Sequence, residues 1–405
     1  MKNLAFWLKF SVFNLFLVAV LGVLMRYKIA FSLPWLDQKF LQETHSHFAF
    51  YGWITACIYV LIVRYLQRTQ PNLPTEKYKF LLVVNMITSF GMLVTFLYNG
   101  YFWLSIIFSA VALLTSFVFF FFLIKDLKGV RENSRIWFLA GVFFAVLSSL
   151  GVFYLSYMKM GGSISQDFYL ASTYYYLHYQ YNGFFNFSCI GFLLFSLREA
   201  GAKISDRDNK LIFWLMFFGC LIGFGLSVLW MKLPVWIFIL IVAATISQTV
   251  SSVKLYQTVK THWPKIVLSW SPMQRFVLLF AGFAFMVKIV LQLGSNIPAV
   301  SQFAFGFRNV VIAYLHLILL MCISTFLLSQ VLATNYFKIN KPLLTGLKLF
   351  LLGIFLNEAI LGFMGVFSIK YISIPYSAEM LLGVSVLMLI AIFIVFIQLK
   401  PKQPN

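Results

Sequence analysis

Residues 42–67 read QETHSHFAFYGWITACIYVLIVRYLQ. Between His47 and Arg64 there is no charged residue, and the apolar run lacks the polar face that a soluble helix shows at every turn. With its flanks it reaches the roughly 20 residues that a helix needs to cross the hydrocarbon core of a bilayer. Similar stretches recur along the whole chain, near 5–28, 78–98, 101–125, 135–158, 168–196, 211–231, 235–257, 273–293, 303–332, 343–366 and 376–398. The gaps between them are too short for a soluble domain. The expected fold is therefore all-α: one polytopic membrane domain, residues 1–405, with about twelve transmembrane helices.

Composition agrees. Of 405 residues 61% are hydrophobic, 19% aromatic and only 10% charged, against about 45–50% apolar and 25% charged in soluble domains. Mean hydropathy is +0.90. These values exclude a soluble enzyme, a disordered chain and a disulfide-rich secreted domain. The four cysteines, Cys57, Cys189, Cys220 and Cys322, each lie in an apolar stretch and form no CxxC, so they read as packing residues. The opening MKNLAFWLKF runs into the first span without a small-residue cleavage site, which reads as a first membrane helix and not as a removed leader.

The net charge of +20 is explained by where the basic residues sit, and nucleic acid is not an expected partner. Most of the 31 Lys and Arg fall in the even-numbered loops and at the termini, for example Arg64, Arg68, Lys77 and Lys79 or Lys125, Lys128, Arg131 and Arg135, with Lys2 and Lys400 at the ends. The odd loops hold Arg26, Lys28, Lys39, Lys159, Lys232 and Lys370. By the positive-inside rule both termini are expected in the cytoplasm, and the protein in the cell (inner) membrane with the lipid bilayer as its first partner.

Four of the five histidines lie within spans: His45 and His47 in span 2, His178 in span 6 and His316 in span 10. An ionisable side chain inside a membrane is costly and marks a functional site by default. These three spans run inward, and their histidines stand about five, ten and thirteen residues below the outer ends, so three helices bring imidazole to the outer half or midplane. His45 and His47 are about 200° apart on a helix and face opposite ways, and His47 is preferred as a ligand because it lies deeper. Tyr174, His178, Tyr181, Asn182 and Asn186 recur at three- and four-residue steps in span 6 and are expected to face the bundle interior. Arg308 and Asn309 share a face with His316; Arg308 suits the acidic groups of a cofactor or an interfacial anchor. Glu358 of span 11 belongs to the same outer half, and Lys288 is expected to snorkel. The inner half holds only hydroxyl and amide groups, such as Asn85, Thr245, Ser247, Gln248, Thr249, Ser251 and Ser252, suited to a hydrated path or to helix packing.

Twelve spans with histidines in spans 2, 6 and 10 near the outer side resemble the catalytic subunit of haem–copper oxidases and nitric oxide reductases, the cytochrome c oxidase subunit I-like superfamily. The segment HSHFAFYG, 45–52, is similar to the HxHxxxxG signature of NnrS-like membrane haem proteins linked to nitric oxide stress. The resemblance implies an oxidase subunit I-like bundle in which His316 and one of His45 and His47 are the axial ligands of a low-spin haem of b type. His178 corresponds to the span 6 copper ligand. Tyr174, Tyr181, Asn182, Tyr314 and Glu358 would then support the ligands. The chain departs from the pattern twice: span 7 has no histidine, and Tyr314 stands where the high-spin haem ligand is expected. Copper is thus a second implied metal whose site is incomplete.

Bis-imidazole ligation fills both axial positions of the iron and suits electron transfer. The same histidines also suit a three-histidine copper or zinc site. The expected function is that of a haem-binding, oxidase-like membrane protein, an oxidoreductase in electron transfer or in handling oxygen or nitric oxide. Two alternatives stand beside it: a cofactor-free transporter or assembly subunit on an oxidase-like scaffold, and a terminal oxidase or nitric oxide reductase with unusual ligands. No CxxCH motif is present, so electrons are expected from a donor protein, a quinol or a partner subunit.

Overall fold

The computed structural model describes residues 3–161, 165–368 and 370–402; Lys2 lies outside them. Twelve long helical runs occupy the twelve expected positions. They are α1 (Leu4–Ala30), α2 (Gln38–Thr69), α3 (Glu76–Asn99), α4 (Trp103–Asp126), α5 (Ser134–Met160), α6 (166–199), α7 (Asp206–Val228), α8 (Val235–Thr261), α9 (Pro272–Gly294), α10 (Arg308–Ala333), α11 (Lys341–Ser368) and α12 (Ser377–Gln398). There is no strand among the described residues. All but α6 are long and apolar enough to cross a membrane, so the chain is an all-α, multi-pass membrane protein. α6 is equally long, but its tyrosines, asparagines, His178 and Gln180 dilute its apolarity.

The termini of these helices follow their sequences. Asp37 caps α2 by accepting from the Lys39 and Phe40 amides. Ser271 and Gln274 form a capping box at α9, with Pro272 in the first turn where its missing N–H costs nothing. Span 10 differs from expectation: a separate short helix, Pro298–Gly306, precedes it, and Phe307 is extended, so α10 starts at Arg308.

The chain forms two compact units, residues 1–119 with 324–405, and residues 120–323. In the first, α12 packs on α11 and α1, and α1 and α3 pack on α2. Buried residues make up 83% of α2's apolar window, against 33–56% in the other ten apolar spans, which makes α2 the central helix of this unit. In the second unit α5 packs on α6, α7 on α8 and α8 on α9. Large side chains such as Trp214, Phe283, Phe355 and Phe363 remain at least half exposed on the outer faces, as lipid contact requires.

Three spans change their winding midway. α2 is π-helical over Phe48–Thr55, α6 over Tyr179–Phe185 and α10 over Leu317–Ser324. A π turn widens the helix and frees carbonyls from their usual partners. In α2 those carbonyls are taken by neighbours: Asn14 of α1 donates to the Gly52 carbonyl at 2.6 Å, and Asn85 of α3 to that of Tyr51 at 3.0 Å. Replacing Asn85 with Leu leaves a buried carbonyl without this donor, and a loss of about 1–2 kcal/mol is expected. Unfolding of the variant in detergent measures it; a midpoint equal to wild type would show that the π turn does not depend on Asn85.

Candidate functional site

Each π segment begins at the residue after a candidate histidine. The first α-helical part of α2 ends at His47, that of α6 at His178 and that of α10 at His316. These leading parts are 10, 13 and 9 residues long, so the three imidazoles lie roughly 14–20 Å along their helices from the starting ends. With the later start of α10, His316 stands nine residues into its helix, where the sequence suggested about thirteen. Beyond each histidine the chain is buried almost all round, over 50–63, 178–188 and 323–332.

In the first unit His45 and His47 diverge, as their spacing predicts. The His45 ring lies against α1 at Gly22, its Cε1 3.5 Å from where a Cβ would stand. His47 points to α3, stacking on Phe96 with ring centroids 4.3 Å apart. Its Nδ1 lies 2.9 Å from the Glu43 carbonyl, which can only accept. The proton is therefore on Nδ1, and Nε2 holds the lone pair. The Tyr101 hydroxyl donates to that nitrogen at 3.1 Å. Glu358 accepts from the neighbouring Asn357 at 3.1 Å.

In the second unit His316 repeats the His47 arrangement. Its Nδ1 lies 2.9 Å from the Ile312 carbonyl, which again presents Nε2 as the lone-pair nitrogen. A backbone carbonyl holding Nδ1–H is the usual support of a metal-bound histidine. The bond alone does not mark a site, because His262 makes it to Thr258 just past the end of α8; position at an α–π junction separates His47 and His316 from His262.

His178 is arranged differently. It is 1% exposed. Its Nε2 lies 2.9 Å from the Cys220 carbonyl and so donates, and its Nδ1 accepts from Asn182 at 3.1 Å. Tyr179 donates to the next carbonyl, Leu221, at 2.7 Å. These carbonyls are available because α7 changes to 3-10 geometry at Phe224–Val228, just beyond them. Both nitrogens of His178 are thus used in tying α6 to α7, and no lone pair faces a copper ion.

The remaining residues of the expected stripe are placed as follows. Tyr181, Asn182 and Asn186 are buried, and Tyr174 is half-buried against Phe305. The rings of Tyr181 and Tyr314 meet edge to face at 6.4 Å. Arg308 is exposed at the first turn of α10, about two turns before His316. Hydroxyls of α8 serve packing: Ser247 and Ser251 donate to the Leu215 and Ile212 carbonyls of α7 at 2.8 and 2.7 Å.

Lys288 corrects the sequence reading. It does not snorkel: it is 3% exposed and lines a small cavity with Tyr181, Asn186, Phe285 and Cys322. Its position, about two turns from the end of α9, satisfied a snorkelling geometry equally well; only the side of α9 that packs against α6 and α10 distinguishes the two. Among the described residues no three His, Cys, Asp or Glu side chains form a metal-binding group.

No protein-family model matches the chain, and no curated protein matches it.

Proposed function

We propose that this is a haem-binding, oxidase-like protein of the cell membrane that works in electron transfer or in handling a diatomic gas. The observation that carries the reading is the recurrence of an imidazole at the α–π junction of α2, α6 and α10. π turns are rare and are enriched at functional sites. Three histidines at three such junctions favour a ligand role over three unrelated packing contacts.

The donor chemistry fits haem in part. His47 and His316 each hold Nδ1–H on a backbone carbonyl and offer Nε2, which is the arrangement an axial ligand needs. We assign His316 and one of His45 and His47 as the axial pair, with His47 preferred for the tautomer it shares with His316. Tyr101 donates to the His47 Nε2 lone pair, the nitrogen through which His47 would hold the iron. A haem bound this way supplies one-electron chemistry. His178 binds no copper in this proposal and serves as a fastener between α6 and α7.

Both termini are assigned to the cytoplasm on the distribution of Lys and Arg. Fusions of a periplasm-active and a cytoplasm-active reporter to the C-terminus test this; a periplasmic C-terminus overturns it.

The deciding experiment for function is a reduced-minus-oxidised visible spectrum of the purified full-length protein, with iron and copper analysis. Soret and α bands of a low-spin b-type haem, with iron and without copper, are expected. Complete absence of haem bands overturns the proposal in favour of a cofactor-free transporter or assembly subunit. Stoichiometric copper with oxygen or nitric oxide consumption would instead mean a reductase with unusual ligands.

A further inference from the structure

The chain after α12 returns to the loop between α10 and α11, within the first unit. Phe337 and Pro401 form an antiparallel bridge there. The Lys338 amide donates to the Lys400 carbonyl at 3.0 Å, and the Lys402 amide to the Tyr336 carbonyl at 2.8 Å. Pro401 fits because the flanking residues make the bonds at this position of an antiparallel pair, so its missing N–H leaves nothing unpaired. Asn340 fastens the same junction by donating to the Gln398 side chain at 3.0 Å.

This register fixes where the side chains go. Residues opposite each other across a pair share a face, and neighbours along the chain alternate. Phe337, 1% exposed, takes the face turned to the protein. Lys338, Lys400 and Lys402 therefore share the face turned away from it, and all three are exposed. Lys338 stands opposite Lys400, where Cβ atoms are about 5 Å apart and like charges repel. Lys341 adds a further ammonium in the first turn of α11. No carboxylate offsets them. The chain has no Asp or Glu between Asp208 and Glu358 and none after Glu379, and no ion pair or side-chain hydrogen bond joins Lys338, Lys400 or Lys402 to a described residue. Folding has gathered lysines from two distant segments onto one face, and such a face is complementary to an anion.

Its depth names the anion. α10 ends at Ala333 and α12 at Gln398, so Lys338, Lys400 and Lys402 follow within a few residues of a span, at most about 17 Å beyond it even if the chain were fully extended. The headgroup layer occupies roughly the first 5–8 Å beyond the hydrocarbon, within reach of lysine stems that bend back towards it. Ile339, beside Lys338, is 48% exposed and suits the acyl boundary better than water.

We propose that the lysine face of this pairing binds the phosphodiester headgroup of an anionic phospholipid of the phosphatidylglycerol type. With the termini assigned as above, the lipid belongs to the cytoplasmic leaflet; binding itself is independent of that assignment and of the haem reading.

The test is native mass spectrometry of the full-length protein in detergent, where membrane orientation plays no part, titrated with dioleoyl phosphatidylglycerol or dioleoyl phosphatidylcholine. Tighter binding of the first is expected, without displacement by inorganic phosphate. A lysine beside an anionic headgroup contributes about a factor of five. Lys338→Gln, Lys400→Gln and Lys402→Gln together should therefore weaken phosphatidylglycerol binding about 100-fold, and Arg at all three positions should retain it. The control Arg68→Gln, Lys77→Gln and Lys79→Gln removes the same charge from the same end of the first unit and should leave binding unchanged. Equal affinity for the two lipids overturns the proposal, as does binding that survives the three Gln substitutions. Displacement by phosphate would mean a site for soluble anions, and an equal loss in the control would mean diffuse attraction by the whole basic end; either result also overturns it.

Discussion

Replacing His316 with Ala should remove the low-spin haem spectrum. The Ile312 carbonyl holds the ring of His316 so that Nε2 is its only lone-pair nitrogen, and Ala offers the iron nothing in its place. Disturbing the support of a metal ligand typically costs 10–100-fold in affinity, and loss of the ligand itself should exceed that. The expected outcome is a fall in the haem-to-protein ratio, or a change of the remaining haem to a high-spin spectrum. His178→Leu is the informative contrast. It should leave the spectrum intact but strip the Cys220 carbonyl of its 2.9 Å donor, costing about 1–3 kcal/mol of stability. If the two variants behave the other way round, His316 fastens helices and His178 is the ligand.

The second large effect is expected from Gly151→Ala. A Cβ built on Gly151 of α5 would stand 2.5 Å from the Ser172 carbonyl oxygen and 3.1 Å from the Tyr176 nitrogen, both backbone atoms of α6. Backbone cannot rotate aside as a side chain can, so the two helices must separate. Overpacking of this kind costs about 1–3 kcal/mol, and close approach through small residues is what holds membrane helices together. The unfolding midpoint should fall by about 2 °C or more. Gly282 of α9 is the control: a Cβ there meets nothing within 4 Å, and Ala should stabilise the helix by up to ~1 kcal/mol. Equal midpoints for the two variants would refute close packing at Gly151.

Much of the fold was legible in the sequence because its cause is local. A run of about 20 apolar residues is helical in a bilayer whatever surrounds it, since no other partner exists there for its backbone groups. All twelve ranges therefore fell within about five residues of the structure, the starts of α7 and α10 differing most. The opposed directions of His45 and His47 followed from helical geometry alone. The polar stripe of α6 was likewise recognisable as inward-facing, since lipid would penalise it.

The rest depended on neighbours. The π turns of α2, α6 and α10 have no signature in the residues that form them. In α2 the turn persists with the Gly52 and Tyr51 carbonyls taken by Asn14 and Asn85, which lie 38 and 34 residues away in the chain. His178 carried the same residue type and depth as a ligand, yet the freed carbonyls of α7 claim its Nε2–H. Lys288 had the position of a snorkelling residue, and packing decided that its side chain is buried within the second unit. The sequence by itself determined where the chain crosses the membrane and which residues are too costly to be there by accident. The tertiary structure decided which neighbour each such residue meets, because hydrogen-bond partners in the membrane interior come only from other segments of the chain.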